Sequence, residues 1–302
     1  MDVSVVVPTL NGRDRLSSAL DSLAAHAPEA EVIVVNGPSA DGTTGMVRAR
    51  DDVDVLVEVA TRTLNVARNA GVEAAAGDVV AFLGHDLVVE PGWLDAIREA
   101  VRETGADAVA GPSRRRLRAG VTAAERERST IADGDVTFFD GGNVAVRAPA
   151  LRAADGFDEY LETGGARDLA HRLVAMDRRI EWADAMATTH EYEADGGRTD
   201  RDWDWKYRAL TYRLVKSYGP RGGVATITLR EAVADAAETL RDVFRGDVRP
   251  TAWLGNGRDV VVGAVTGASD GLVARGRDRS PARNPHGISA HDDRAVAVYD
   301  RR

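Results

Sequence analysis

Short runs of Val and Ile alternate with amphipathic stretches through the first third of the chain, and this alternation restricts the fold more than any other feature. The runs are 3–7 (VSVVV), 31–35 (EVIVV), 53–58 (VDVLVE), 78–83 (DVVAFL) and 106–111; helical periodicity occupies 13–25, 43–50, 64–76 and 92–103 between them. A strand apolar at nearly every residue must be covered on both faces, and helices crossing over between such strands provide the cover. The expectation is an α/β fold with a doubly wound sheet. In such sheets ligands bind beyond the carboxyl ends of the strands, so chemistry is expected in the residues that follow each run.

The chain is 302 residues long, enough for one large α/β domain or two smaller ones, with 44% hydrophobic and 29% charged residues, a composition that folds. A formal charge of −9 excludes a general nucleic-acid binder, which needs a surplus of cations facing phosphates. There is no cysteine, hence no disulfide, no thiolate metal ligand and no thiol nucleophile. No apolar run reaches the roughly 18 residues of a membrane span, and no basic leader precedes the first strand, so a chain neither exported nor threaded through a bilayer is expected.

Four strand ends carry polar residues that a packed core does not require. VVVPTLNG stops at Pro8 and presents Thr9, Asn11 and Gly12, which either line a ligand or cap the following helix. VVNGPSADGT turns through Asn36, Ser39 and Asp41 into a helix N-terminus suited to an anion or a ribose. NVARNAGVEAAAGD sets Arg68 and Asn69 on a helix leading into the fourth strand. FLGHD breaks that strand at Gly84 and delivers His85 and Asp86. Later come a basic run, 114–118, read as a solvated loop with phosphate or lipid headgroups as the lesser alternative; a strand-like DVTFFDGGNVAVR; and LETGGARDLAHRL, helical in its second half.

In this order, SVVVPTLNG, VIVVNGPSADGT, ARNAGVEAAAGDVVAFLGHD, GGNVAVR and GFDEYL resemble the blocks of family 2 glycosyltransferases of the GT-A fold, over roughly residues 3–195. The resemblance implies a Rossmann-like mixed sheet flanked by helices. It also implies inverting transfer of a sugar from a nucleotide donor, a UDP-sugar in first place, with a divalent metal, Mg²⁺ or Mn²⁺. Pro8, Thr9, Asn11, Asn36, Ser39, Asp41, Arg68, Asn69 and His85 would then bind the nucleotide-sugar. Gly141, Gly142 and Asn143 would floor the pocket where sugar and acceptor meet.

Three positions depart from the family pattern. The Asp-X-Asp metal motif reads Gly84, His85, Asp86, which leaves Asp86 as its one carboxylate, with His190 of ATTHEYEA expected to complete the site. The acidic pair that often reads the base is replaced by Asn36 and Gly37. The Glu-Asp pair that supplies the general base is replaced by Gly165 and Ala166, which leaves Asp168 as the nearest surviving carboxylate and Glu162 as the next. Asp168 equally suits a pairing with Arg172 one helical turn on.

Three helix-like stretches follow Trp203. WDWKYRALTYRLVKSY (203–218) interleaves aromatic rings with cations, as a membrane-interface helix does, or as a packed helix does with its cations snorkelling outward. The domain reading is 1–200 catalytic, 201–276 a helical extension touching a membrane surface or a second subunit, and 277–302 a polar tail. The helical extension and the use of Asp and Arg are similar to haloarchaeal Agl-type enzymes, the AglE group among them. This implies a lipid-linked acceptor, a dolichol-phosphate glycan of protein N-glycosylation receiving a hexuronic-acid-type sugar, and a peripheral enzyme on the cytoplasmic membrane face. The competing readings are a GT-A domain that binds sugar, nucleotide or partner without catalysis, and, last, a nucleotidyltransferase, for which PTLNGRD is a poor phosphate loop.

Overall fold

The computed structural model describes residues 1–117, 120–123, 127–131, 134–190, 202–245 and 250–302. They form two compact units, one of 1–129, 135–195 and 286–302, the other of 130–134 and 196–285. The chain runs β1 (Val3–Thr9), α1 (Arg13–His26), β2 (Glu31–Asn36), α2 (Thr43–Arg48), β3 (Val55–Val59), α3 (Leu64–Ala74), β4 (Val79–Leu83), β5 (Leu87–Val89), α4 (Trp93–Thr104) and β6 (Ala108–Ala110). It continues through β7 (Ser113–Leu117), β8 (Gly120–Ala123), β9 (Arg128–Ile131), β10 (Gly134–Thr137), β11 (Asn143–Arg147), α5 (Ala148–Ala153), α6 (Gly165–Ala175), β12 (Ile180–Trp182) and β13 (Thr188–His190). The helices α7 (Trp203–Tyr218), α8 (Gly222–Arg245) and α9 (Pro250–Arg277) follow, then β14 (Ala295–Asp300).

The main sheet has the order β12-β6-β11-β4-β1-β2-β3-β14. Strand β1 pairs in parallel with β2 on one side and β4 on the other, so the strand order reverses there. A crevice opens beyond the carboxyl ends of strands at such a switch point, which here means beyond Thr9 and Leu83. Strand β11 runs antiparallel between β4 and β6, which makes the sheet mixed. The apolar runs form the core as their composition requires: Val5, Val7, Val34, Ala81 and Leu83 are buried with Leu16, Leu20 and Leu23 of α1 and Trp93 and Ile97 of α4. Helix α3 lies so close to the sheet that a Cβ on Gly71 would stand 2.3 Å from a methyl of Val6.

A smaller sheet, β5-β13-β7-β8, stands beyond the end of β4, and it overturns one expectation. Residues 114–117 of the basic run lie in β7, paired on both edges by β13 and β8, rather than in a solvated loop; residue 118 lies outside the described residues. Alternation explains how so cationic a strand is tolerated. Arg114 faces Glu90 in an ion pair, and Arg115 falls on the opposite face.

The polar tail also differs from its reading. Residues 286–302 belong with the first unit, and β14 pairs antiparallel with β3. Arginines help to anchor the segment. The Arg294 side chain is fully buried between Glu73 at 2.6 Å and Glu159 at 2.5 Å, while Arg301 and Arg302 donate to the Arg48 and Ala74 carbonyls.

In the second unit α9 meets α7 along Gly263, Gly267 and Gly271. A Cβ at Gly263 or Gly267 would lie 2.1 Å from the Asp204 or Arg208 carbonyl oxygen, so only glycine lets the two backbones approach. The membrane-interface reading of α7 is not what its side chains do. Trp203, Tyr207, Tyr212 and Lys216 are buried, and the Tyr207 hydroxyl donates to Asp235 of α8 at 2.6 Å. Among the described residues no helix is long and apolar enough to cross a membrane.

Candidate active site

Strand β4 ends because Gly84 turns the chain: its N–H donates to the Gly142 carbonyl at 2.9 Å, and its own carbonyl accepts from Leu87 N–H at 3.0 Å. The turn presents Asp86. Strand β13 lies antiparallel to β5 with His190 opposite Leu87, and this sets His190 Nδ1 3.3 Å from Asp86 Oδ2. Residues 104 positions apart thus meet as the two metal-ligand candidates of the sequence. Both are part exposed, at 18% and 38%. Among the described residues no group of three or more His, Cys, Asp or Glu could hold a metal ion. One carboxylate and one imidazole fit a divalent ion that takes its remaining ligands from water and a diphosphate.

Beside this pair, a cleft of about 200 Å³ is lined by Pro8, Thr9, Thr61, Thr63 and His85 among others. Thr9 Oγ1 is buried in the structure with no hydrogen-bond partner, so a ligand here would satisfy it. The His85 ring packs where a Cβ on Gly12 would lie within 2.6 Å of it. Burial holds its pKa below the ordinary value, against the opposing pull of Asp86 and the Pro8 carbonyl. His85 thus lines this cleft, and the pair at the strand end is Asp86 with His190.

The neighbouring loop residues are spent largely on one another. Ser39 Oγ donates to Asn36 Oδ1 at 2.7 Å and accepts from Asn11 N–H at 2.9 Å, and Asn11 Oδ1 accepts from Ala40 N–H at 2.8 Å. Asp41 accepts from the Thr43 hydroxyl, which is the main cause of its lowered pKa, and from Arg13 N–H at 3.0 Å and Thr43 N–H at 3.1 Å. Asn11, Asn36, Ser39 and Asp41 lock the loop after β2 to the loop after β1. None of the four is among the residues that line this cleft.

A larger cavity, about 450 Å³, is lined by Arg68, Asp140, Gly141 and Glu162 with Phe138 and Trp182 among its walls. Arg68 is buried, its Nη1 donating to Asn65 Oδ1 at 3.1 Å and its Nε without a partner. Burial pulls its pKa down to about 10, opposed by Asp140. A buried guanidinium with donors to spare is a strong attractor for an anion. Gly141 lies against it: a Cβ there would stand 2.4 Å from the guanidinium, which would have to move aside.

Three expected site residues have structural work instead. Asn69 is buried and clips the 157–159 segment, donating to the Phe157 carbonyl at 2.9 Å and Glu159 at 2.7 Å and accepting from Phe157 N–H at 2.8 Å. Asn143 accepts from Trp93 Nε1 at 2.9 Å and donates to the Met186 carbonyl at 2.9 Å. Asp168 is fully buried and accepts from Arg172 Nε at 2.7 Å, while Arg172 also donates to the Gly156 carbonyl. Gly142 acts through its backbone, donating to Asp140 Oδ1 at 2.9 Å. No carboxylate fits at position 165 either, because a Cβ on Gly165 would lie 2.3 Å from the Asn65 amide. Of the two candidate bases, the cavity contains Glu162.

Sequence reasoning missed Asp140, Trp182, Glu127 and Arg167 of the cavity wall. Asp140 was visible in the sequence as the residue before Gly141. Glu127 was not: it lies in a stretch without periodicity, and only tertiary structure brings it to Arg167, which donates to it from both terminal nitrogens.

The sequence model of glycosyl transferase family 2 matches residues 4–155, half of the chain. The pre-mycofactocin glycosyltransferase of Mycobacterium tuberculosis is 28% identical over 217 residues, 67% of this chain and 44% of that protein. Glycosyltransferase AglE of Haloferax volcanii is 33% identical over 176 residues, 54% of this chain and 58% of that protein. The chain thus spans about half the length of these curated relatives. Among solved structures, the mannosyltransferase PcManGT of Pyrobaculum calidifontis in complex with GDP-Man and Mn²⁺ superposes with a TM-score of 0.58 at 18% identity, covering 89% of this chain and 87% of that one. TarS of S. aureus with UDP-GlcNAc gives 0.55 at 19% identity, covering 70% and 65%. Both share the GT-A fold.

Proposed function

From a chain that belongs to glycosyl transferase family 2, we infer a transferase that moves a sugar from a nucleoside-diphosphate donor to a carbohydrate hydroxyl with inversion at the anomeric carbon. The observation that carries this reading is the Asp86–His190 pair at the end of β4. In this reading the nucleoside lies against Pro8, Thr9 and His85, and the sugar enters the cavity lined by Arg68, Gly141 and Glu162. A divalent ion held by Asp86 and His190 would neutralise charge on the diphosphate as it leaves. Glu162 accepts the proton of the acceptor hydroxyl while that oxygen attacks the anomeric carbon and the bond to the diphosphate oxygen breaks. Trp182 offers an apolar face for a sugar ring.

The relatives in complex with GDP-Man and UDP-GlcNAc make UDP and GDP the donors to test, with UDP first. Donor turnover, read as release of nucleoside diphosphate, should fall about a hundredfold or more in Glu162→Gln, the loss of one general base, with nucleotide affinity retained. Equal loss of affinity and turnover would place Glu162 in donor binding instead. The missing carboxylate at Gly165 favours a second reading, a sugar- or nucleotide-binding protein without turnover; nucleotide binding with no release by the wild type would select it.

The finer reading is a dolichol-phosphate-linked glycan as acceptor, a hexuronic-acid-type donor sugar, and an enzyme peripheral to the cytoplasmic membrane face. Support for the membrane comes from α8 and α9, not from α7. Leu229 and Val233 are 65% and 61% exposed one turn apart, and Val261 and Val265 are 62% and 66% exposed in the same spacing. Such stripes suit the interfacial zone of a bilayer. Flotation with vesicles of mixed neutral and anionic phospholipid should recover the wild type, and Leu229→Asp with Val265→Asp should weaken recovery about tenfold or more, each side chain forfeiting its apolar burial. Wild type left at the bottom of the gradient would remove the membrane from the reading.

A further inference from the structure

Strand β7 carries a cation that the pairings described above leave over. Arg114 and Arg115 are consecutive, so the pleat sends them to opposite faces of the small sheet. Arg114 is accounted for: it pairs with Glu90, whose other oxygen accepts from the Thr189 hydroxyl at 2.7 Å. Arg115 is exposed. Its parallel register partner is His190, and residues in register on neighbouring strands stand about 4.8 Å apart with side chains on one face. Leu87, the register partner of His190 on its other side, packs where a Cβ on Gly142 would lie 3.2 Å away. The face shared by Leu87, His190 and Arg115 is thus the one turned toward the 141–142 floor.

We infer that Arg115 binds the diphosphate of the donor beside the Asp86–His190 pair and stabilises it as a leaving group. The inference rests on the donor-site reading and adds to it a residue outside every block that carried the family resemblance. Charge supports it. With Gly84 in place of a second carboxylate, the metal position carries one negative side chain, and a guanidinium in register with its imidazole makes the site more attractive to a dianionic bridge than a two-carboxylate site. A planar fork of donors suits phosphate oxygens, and its reach of several ångströms from β7 covers the width of one strand. As the anomeric bond breaks, the electron pair passes to the diphosphate oxygen, and Arg115 meets that charge without exchanging a proton.

Calorimetric titration tests this with whichever of UDP or GDP the wild type binds, its monophosphate and its nucleoside, each with Mn²⁺ and with EDTA. Arg115→Ala should weaken diphosphate binding about tenfold or more, the worth of a charge-assisted hydrogen bond, with Arg115→Lys intermediate and nucleoside affinity unchanged. The loss should persist in EDTA. Arg114→Ala, on the same strand but facing away, should bind the diphosphate as the wild type does. Unchanged affinity in Arg115→Ala overturns the inference and leaves the donor site standing. An equal loss with the nucleoside, or with Arg114→Ala, also overturns it, because the strand rather than the cation would be at fault. A wild type that binds none of these nucleotides overturns the donor site and this inference together.

Discussion

Asp86→Ala should lower sugar transfer by about a thousandfold and abolish the Mn²⁺-dependent part of nucleotide binding, because several kcal/mol of charge stabilisation on the leaving group pass through that carboxylate. The side chain is 38% exposed and its partner is His190 at 3.3 Å, so its removal leaves no buried charge and the fold should survive. Titration of nucleoside diphosphate with and without Mn²⁺ reads the effect apart from turnover. His190→Ala should reproduce it in weaker form, since an imidazole contributes no net charge to a cation. Affinity that is independent of Mn²⁺ in the wild type, with transfer intact in Asp86→Ala, would show that the pair holds no metal during the reaction.

Asp168→Ala should act on stability and not on chemistry. The Asp168–Arg172 pair is fully buried, and removing one partner of such a pair costs about 3–5 kcal/mol because the other charge is left uncompensated. For a unit of this size that corresponds to a fall in unfolding temperature of about 10 °C, with turnover per folded molecule close to wild type below the transition. Replacing both residues together, Asp168→Leu with Arg172→Met, should recover much of the loss. The opposite pattern, a collapse of turnover at unchanged unfolding temperature, would return Asp168 to the role of base and demote Glu162.

These two aspartates show why one sequence pattern was readable and the other was not. Asp86 follows a strand that is apolar throughout and breaks at a glycine, so its place at a sheet end is a local consequence of periodicity. Asp168 sits one helical turn before an arginine, and the same spacing serves an ion pair or a catalytic site. Only the burial of both side chains separates the two. Asn69 and Asn143 make the same point: an amide can satisfy a ligand or three groups of the protein itself equally well, and the choice depends on chain segments far away in sequence.

The alternation of apolar runs and amphipathic helices determined by itself the α/β layers, the limits of the first strands to within a few residues, and the positions of His85 and Asp86 beyond the end of β4, because hydrophobic burial follows local period. Strand β1, by contrast, runs on through Pro8 to Thr9 instead of stopping at the proline. Tertiary structure alone decided the rest. It brought His190 across to Asp86, turned residues 114–117 of the basic run into part of a strand with Arg115 in register beside them, drew the C-terminal residues onto β3 by strand pairing, and closed position 165 with Asn65. Each of these depends on pairing between segments distant in sequence, and hydrogen-bond ladders, ion pairs and steric exclusion leave no periodic trace in the residues that form them.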